Sequence, residues 1–528
     1  MKPRQLTTVE EAVSRIKDGD VFSFNGIGAI GFPDQFFPAM EARFLKEGHP
    51  RDLTLYSACG LGTDKYEIQH MAHPGLISCL MVGYILPYSI FSPALKEEKI
   101  EGYNLPQGII SMNYRAAAAK RPGFYSKVGL HTFADPRHQG CALNERSKRE
   151  MVRVEEVDGE EYLFYRTVRP DVCILRGTTA DPNGNITMEK EANVADALAM
   201  AMATHNNGGQ VFVQVERLSD EYANPQDVRI PGPLVDAIWV SPDQPQTNRP
   251  GYSPCYSGLE RAPKEAVDEM CLESLTRDRY PGKPVSAAER VIARRAALEL
   301  KDSYMVNLGI GTPMLAASEA VEMGILTENH HLSLETGVMG GVPVPDAFGA
   351  VINADAIYDM ASQFEFYEGG GLDATMVGAL EIDGQGNVNV IRKDGILFGA
   401  GGFQHVTHAA KKIVVCSRFR RSSGFAVENG QIKLVDGVED KFVKEVECIA
   451  FNAPYFRSLG KKIVYITERC VLELGDDGLV LTEITPGLHP LYSVLQYIPF
   501  PVKVAPRLRY MPTVCFDPLT KSAQKKEG

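Results

Sequence analysis

The chain carries the stretch SLETGVMGG at Ser333–Gly341. Its first residues belong to a predicted buried strand, His331–Leu334, and Glu335 comes directly after that strand. The carboxyl ends of strands in open parallel α/β sheets are where ligands bind. Either Glu335 is a reactive group in such a site, or it is a carboxylate that stabilises a helix N-terminus. Three glycines follow that would let the backbone approach a substrate closely: Gly337, Gly340 and Gly341.

One structural unit occurs twice in the chain. Each copy begins with a capping box that predicts a helix, Thr8–Glu11 in the first copy and Ser286–Glu289 in the second. An apolar strand and a glycine turn follow in both. Further along, 171–187 aligns with 373–389 without a gap, and both segments predict a strand followed by an Asp-x-x-Gly-Asn hairpin turn.

This repeat predicts the fold class and the domain organisation. At 528 residues the chain is longer than one typical domain. We expect an α/β protein of two duplicated open domains with mainly parallel sheets. Residues 1–225 form the predicted N-terminal domain, 226–284 a proline-rich linker, and 285–518 the C-terminal domain that contains Glu335. Residues 519–528 form a polar tail that we expect to be disordered.

Two differences between the copies bear on function. Where the second copy has Glu335, a direct alignment of the sequences puts Tyr56 in the first, so the scaffold itself does not require a carboxylate. The second copy also has a glycine cluster, Gly399–Phe403, against the glycine-free run 197–201. That cluster is either a tight turn or a set of backbone N–H groups that can bind developing negative charge.

Composition excludes several classes of protein. The formal net charge of −12 argues against a general nucleic-acid binder, which needs a basic face. The charge-free stretch 75–95 is long enough to span a bilayer, but its prolines and serines predict a short strand with loops instead. We therefore expect neither nucleic acid nor a membrane among the partners of this protein.

The cysteines predict a reducing compartment. The chain has ten of them, scattered without a CxxC pair or a His/Cys cluster at zinc spacing, so we expect buried, unlinked side chains and no structural metal. Residues 1–11 have no apolar segment typical of a signal peptide and already predict a helix start. The expected location is the cytoplasm.

Four segments together resemble the class I CoA-transferases, in particular the long type in which both halves are fused, like acetate or propionate CoA-transferase. They are Asn25–Pro33, Glu335–Gly341, Gly399–Phe403, and Leu481–Ile484 with the Pro-Gly pair at 486–487. The glycine turns are weak signals singly, but their order and spacing are specific, and they cover most of 8–518. Many relatives have Ser-Glu-Asn-Gly where this chain has Leu334–Gly337, which bears on substrate preference.

The resemblance implies a mechanism. Glu335 would be the nucleophile that forms a glutamyl-CoA thioester, and backbone groups at Gly401 and Gly402 would form the oxyanion hole. CoA would be a substrate and part of the covalent intermediate, and no cofactor would be bound permanently. The partners would be acyl-CoA and small carboxylic acids, and the chain would form a homo-oligomer, a dimer or tetramer. The further residues expected to contact CoA are Gly399, Ala400, Phe403, Gly337, Gly340 and Gly341.

Two other functions remain open at this stage. An acyl-CoA hydrolase could use the same fold and the same glutamyl thioester, with water as the second substrate. A non-catalytic ligand sensor could use the duplicated scaffold without turnover. Seven basic residues of the second copy are either phosphate ligands or solvated surface: Arg392, Lys393, Lys411, Lys412, Arg418, Arg420 and Arg421. His405 and His408 lack a third ligand for a metal and are interpreted as helix packing.

Overall fold

The computed structural model describes residues 5–28, 30–59, 68–85, 90–247, 252–276, 285–345, 347–428 and 431–517. Within these ranges two large sheets are each flanked by helices, which confirms the predicted α/β class. The α-helices are Val9–Ser14, Phe36–Glu47, Ser92–Lys96, Gln107–Ala118, Ala197–Asn206, Pro254–Ser257, Lys264–Thr276, Ala287–Ala297, Thr312–Glu322, Met360–Glu368, Phe403–Ala409 and Ala453–Ser458.

The N-terminal sheet has nine strands, and seven of them form a parallel array. Across the sheet, the array is Glu101–Asn104, Ile77–Val82, Leu53–Ser57, Val21–Phe24, Val172–Ala180, Gln210–Leu218 and Ala237–Val240. The short strands Ile186–Thr187 and Val228–Ile230 extend it antiparallel. A separate antiparallel sheet contains Gly123–Ser126, Val152–Val157 and Glu160–Arg166.

The C-terminal sheet has ten strands around a parallel centre of five. The centre is His331–Leu334, Met305–Leu308, Ala374–Val377, Lys412–Cys416 and Lys462–Ile466. Val338–Met339 and Ala356–Ile357 lie at one edge, and Cys470–Gly475, Gly478–Ile484 and Lys503–Tyr510 at the other. The two-stranded pairs are Val342–Pro343 with Val351–Ile352, Glu381–Ile382 with Val388–Asn389, Arg392–Lys393 with Ile396–Leu397, Arg420–Arg421 with Glu439–Asp440, and Gly424–Glu428 with Gln431–Val435.

The duplication is visible in local geometry. Helix Ala287–Ala297 begins with a full capping box at Ser286 and Glu289, and Thr8 accepts a hydrogen bond from the Glu11 amide in the first copy. Both predicted hairpin turns close in the same way, because an aspartate accepts from the backbone amides two and four residues later. The acceptor–donor sets are Asp181 with Asn183 and Asn185, and Asp383 with Gln385 and Asn387.

Strand pairing also fixes which residues of the two copies correspond. Phe22 pairs with Val172 in the first sheet, and Val306 pairs with Ala374 in the second. Val172 and Ala374 occupy equivalent places in the gap-free alignment of 171–187 with 373–389. Phe22 therefore corresponds to Val306.

This correspondence corrects the residue that the sequence alignment matched with Glu335. On the next strand, Phe22 pairs with Leu55 and Val306 pairs with Leu332, so Leu55 corresponds to Leu332. Three residues further along, Ala58 stands where Glu335 does. The match to Tyr56 was wrong by two residues, because the connection between the two strands is seven residues longer in the first copy: 33 positions separate Phe22 from Leu55, and 26 separate Val306 from Leu332. The first copy still has no carboxylate at this position.

The two halves meet along a surface that we call the seam, formed mainly where helix Gln107–Ala118 packs against helix Met360–Glu368. Arg115 Nη2 donates to Asp359 Oδ1 at 2.7 Å, and Ser126 Oγ donates to Glu368 Oε1 at 2.6 Å. These bonds join residues more than 240 positions apart in sequence. Residues that lie at the seam in one half are therefore in contact with residues of the other half.

Further predictions concerned the linker, the tail, the charge-free stretch and the cysteines. The segment 226–284 contains strand Ala237–Val240 of the N-terminal sheet and helix Lys264–Thr276, so it is partly regular structure, and the domain boundaries remain a prediction. The tail 519–528 and residues 86–89 of the charge-free stretch lie outside the described residues. No helix among the described residues is long and apolar enough to cross a membrane. All ten cysteines are buried and none forms a disulfide, as predicted.

Candidate active site

Glu335 lies at the carboxyl end of strand His331–Leu334 and faces the seam. Its side chain is buried, with 6% of the residue exposed. Carboxylate atom Oε2 has no hydrogen-bond partner among the described residues. Burial raises the pKa of Glu335 to about 7, and hydrogen bonds from its own backbone and from Asn307 oppose that rise. An unsatisfied buried carboxylate of this kind is typical of a reactive group.

The turn Gly399–Gly402, which we call the glycine turn, packs directly on this carboxylate. A Cβ atom at Gly402 would lie 2.6 Å from Glu335 Cγ and 2.9 Å from Oε1, so only glycine fits at this contact. The backbone at Gly402 is helical, with φ −78°, and helix Phe403–Ala409 begins at the next residue. The glycine cluster and Glu335 are therefore in contact in the structure.

The glycine turn is held in place by the other half of the molecule. The Ala400 amide donates to Asn104 Oδ1 at 3.0 Å, and the Gly401 amide donates to the Gly83 carbonyl at 3.0 Å. Gly401 is thus engaged and does not offer its N–H to a substrate here. The Gly402 amide has no backbone acceptor among the described residues. Of the two predicted oxyanion donors, Gly402 is thus the one whose N–H is not used by a backbone carbonyl among the described residues, and the role of both in an oxyanion hole remains a prediction.

The other predicted contact residues have structural roles in this state. Gly337, Gly340 and Gly341 adopt positive φ angles of 85°, 79° and 66°. A Cβ on any of them would lie within 2.3 Å of an atom of the segment 352–358, so these glycines shape the turn after Glu335. Phe403 is buried, and its amide donates to the Ala400 carbonyl at 3.1 Å. A role for these residues in binding CoA remains a prediction.

The basic residues and histidines of the second copy have partners within the chain. Each of the seven basic residues forms an ion pair with a carboxylate, and the partners in sequence order are Glu447, Glu381, Asp373, Glu299, Glu289, Asp440 and Glu439. His405 packs on Phe364 with ring centroids 4.7 Å apart, and burial lowers the pKa of this imidazole to about 3. The packing interpretation of His405 is confirmed, and the ring is neutral.

Sequence analysis missed a polar loop of the N-terminal half, residues 193–196. Asp196 is buried, and desolvation raises its pKa to about 7 although Ser111 Oγ donates to it at 2.8 Å. Burial raises the pKa of the Cys59 thiol, and the charges of Glu335 and Asp196 raise it further, so both carboxyls lie near that residue. Asn193, in the same loop, is also buried. The loop follows an ordinary hairpin, so no local sequence pattern distinguishes it.

This arrangement can perform acyl chemistry. A desolvated carboxylate is a stronger nucleophile than a solvated one, and the adjacent amide of Gly402 can stabilise an oxyanion that forms beside it. Burial at the seam also limits the access of water to any intermediate. The described residues contain no group of three or more potential metal ligands.

Comparison with known proteins gives consistent matches. The family model for coenzyme A transferase matches residues 6–241. The chain is 35% identical to caffeate CoA-transferase of Acetobacterium woodii, covering 97% of each chain. It is 36% identical to acetate CoA-transferase YdiF of Escherichia coli K12, covering 96% of this chain and 94% of the relative. The structure of YdiF from Escherichia coli O157:H7, an acyl-CoA transferase, superposes with a TM-score of 0.89 at 34% identity, covering 97% and 96% of the two chains. A second YdiF structure, a thioester complex with CoA, gives 0.87 at 32% identity with the same coverage.

Proposed function

Because the chain belongs to the coenzyme A transferase family, we propose that it moves CoA from an acyl-CoA to a short-chain carboxylic acid of the acetate type through a thioester on Glu335. One observation carries this proposal: a buried carboxylate of one half lies against a glycine turn that is held by the other half. The relatives act on acetate or caffeate by name, and the acceptor of this chain is proposed from the acetate relative.

The first half-reaction has two steps at Glu335. The ionised carboxylate attacks the acyl carbonyl carbon, a C–O bond forms, the C–S bond breaks, and the CoA thiolate leaves. The product is an acyl-glutamyl anhydride. The thiolate then attacks the glutamyl carbonyl carbon, which forms the glutamyl-CoA thioester and releases the first acid as its carboxylate. The second acid reverses both steps and leaves as a new acyl-CoA.

The Gly402 amide supports this chemistry. Both steps pass through tetrahedral oxyanions that form at the Glu335 carboxylate, and Gly402 packs directly on that carboxylate. Loss of one such donor typically costs about 3 kcal/mol in the barrier. We assign Gly402 as the oxyanion donor and Gly401 as the residue that fixes the turn on the Gly83 carbonyl.

Burial of the site favours transfer over hydrolysis. A thioester on Glu335 would lie in a place where the residue is 6% exposed, so water has little access to it. The test is to incubate the protein with propionyl-CoA and acetate and to measure acetyl-CoA and free thiol. We expect acetyl-CoA to form in amounts that match the propionyl-CoA consumed. Thiol release without acetyl-CoA would show a hydrolase instead.

We also propose a cytoplasmic location, supported by ten buried cysteines without a disulfide. Assembly into a dimer or tetramer remains a prediction from the family resemblance. CoA enters as a substrate rather than as a resident cofactor.

A further inference from the structure

Asn193 has a buried side chain with no evident structural role in the folded chain. The residue is 1% exposed, yet neither Oδ1 nor Nδ2 has a hydrogen-bond partner among the described residues. Buried amides are almost always paired, because an unpaired donor and acceptor both lose their hydrogen bonds to water on folding. A buried amide that stays unpaired in the free protein is suited to bind a ligand that supplies the missing hydrogen bonds.

Asn193 lies near the segment that carries the proposed nucleophile, at the seam. Its Nδ2 would be 3.3 Å from a Cβ atom placed on Gly349, and Thr336 Cγ2 would be 3.2 Å from the same point. Thr336 is the residue after Glu335. On the other side, Oδ1 faces Gly31, whose Cβ position is 4.0 Å away. Both atoms of the amide therefore face a glycine, and no side chain from either position covers them.

The loop that carries Asn193 is strained and anchored in both halves. Ala195 adopts φ +44°, which is unfavourable for a residue with a Cβ. Its carbonyl accepts from the Met360 amide of the C-terminal half at 2.9 Å, and the Val194 carbonyl accepts from Asn25 Nδ2 at 3.4 Å. Strain of this kind persists where the surroundings hold it, and it is concentrated at binding sites.

The hydrogen-bonding atoms of the Asn193 amide indicate which chemical group of a ligand would bind there. Nδ2 donates and Oδ1 accepts, so the best partner both accepts and donates, as a hydroxyl group does. A methyl group offers neither function, and a second carboxylate offers only acceptors. The groups that face Asn193 from Gly31, Gly349, Thr336 and Ile30 carry no charge. The position next to Glu335 is where the carbon chain of an acyl group would extend.

We propose that Asn193 is a specificity-determining residue that binds a hydroxyl group on the acyl chain, so that hydroxylated monocarboxylic acids are preferred acceptors. This inference rests on the proposed transferase function. It concerns binding of the acid, since Asn193 takes no part in making or breaking a bond. A site built to bond a hydroxyl discriminates against the analogue that lacks it, because its own polar atoms then stay unpaired.

The test compares two pairs of acids with propionyl-CoA as donor: glycolate against acetate, and 3-hydroxypropionate against propionate labelled with an isotope. We expect the full-length protein to favour the hydroxylated acid of at least one pair by about tenfold in kcat/KM. In Asn193→Leu, which has a similar volume without polar atoms, that preference falls to within about threefold. The free variant should also unfold at an equal or higher temperature, because an unpaired buried amide has been removed.

The controls separate the possible failures. Asn224→Leu, at an exposed position, should change neither preference nor kcat. Equal rates for both members of each pair in the unmodified protein would overturn the inference. The inference would also be overturned if Asn193→Leu lowered the rate with all acids equally and raised the KM for propionyl-CoA. In that case the amide would face the pantetheine arm of CoA. A variant that unfolds at a lower temperature and keeps its preference would show a purely structural residue. Asn193→Ala replaces Asn193→Leu if the latter does not fold. If no acid accepts CoA at all, the proposed function fails instead.

Discussion

At the scale of single residues, the burial of Glu335 links stability to catalysis. Its pKa of about 7 lies above the value of 4.5 for a solvated glutamate. The folded protein therefore binds this proton more tightly than the unfolded chain. Stability from this group is present below pH 4.5 and is lost as the pH rises through 7, by about 3 kcal/mol. The same desolvation makes the ionised carboxylate reactive.

We predict that Glu335→Gln abolishes CoA transfer and stabilises the protein. Glutamine keeps the shape but carries no charge, so the variant should gain up to about 3 kcal/mol over the unmodified protein at pH 8 and little at pH 4.5. Thermal unfolding followed across this pH range measures the difference. Glu269→Gln, at an exposed position, is the matched control and should follow the unmodified protein. An equal gain at both pH values would argue against a titrating carboxyl.

The sequence was sufficient to identify Glu335 but not its full environment. A carboxylate in one copy and none in the other, together with a family resemblance, indicated a reactive group. The correspondence with Ala58 needed strand pairing, because turn lengths shift an alignment without changing the hydrophobic pattern. Asn193 was not predictable, since its importance lies in what fails to contact it after folding.

At the scale of elements, the glycine turn packs on the Glu335 carboxylate and contains the proposed oxyanion donor. We predict that Gly402→Ala lowers kcat by about 100-fold, because the new Cβ would displace the Glu335 side chain from its position. The backbone at Gly402 is helical, so alanine itself causes no strain there. Steady-state kinetics with propionyl-CoA and acetate measure the loss.

Gly378→Ala is the control for this change. A Cβ at Gly378 would meet no atom within 4 Å, and its backbone has no positive φ, so activity should stay within about twofold. Full activity in Gly402→Ala would show that the turn moves away from Glu335 during turnover. The sequence predicted the cluster as a source of backbone donors. It could not show that the Gly401 amide is already bonded to Gly83, because that partner belongs to the other half.

At the scale of the whole molecule, the candidate active site lies where the halves meet. The duplicated sequence predicted two α/β sheets, and the structure contains them. How they face each other depends on helix Gln107–Ala118 packing on helix Met360–Glu368, and those surfaces read as ordinary amphipathic helices in the sequence. The seam could therefore not be predicted from the sequence. It explains why one carboxylate is sufficient for a chain with two halves.

We predict that Asn104→Ala in the N-terminal half lowers kcat by about tenfold, although Glu335 is in the other half. The change removes the acceptor of the Ala400 amide and loosens the glycine turn. Asn144→Ala is the control, because among the described residues its side chain bonds only to Leu95, Ile100 and Ser147 of the N-terminal half. A similar loss of stability in both variants, together with a loss of kcat only in Asn104→Ala, would support a role of the seam in catalysis. Equal kcat values in both variants would contradict it.

We propose that Glu335 carries CoA during turnover. The most direct measurement is to incubate the protein with an acyl-CoA, reduce the thioester with borohydride or trap it with hydroxylamine, and identify the modified peptide by mass spectrometry. We predict modification at Glu335 in the unmodified protein and none in Glu335→Gln. An unmodified Glu335 peptide, with the label on another residue, would contradict the account.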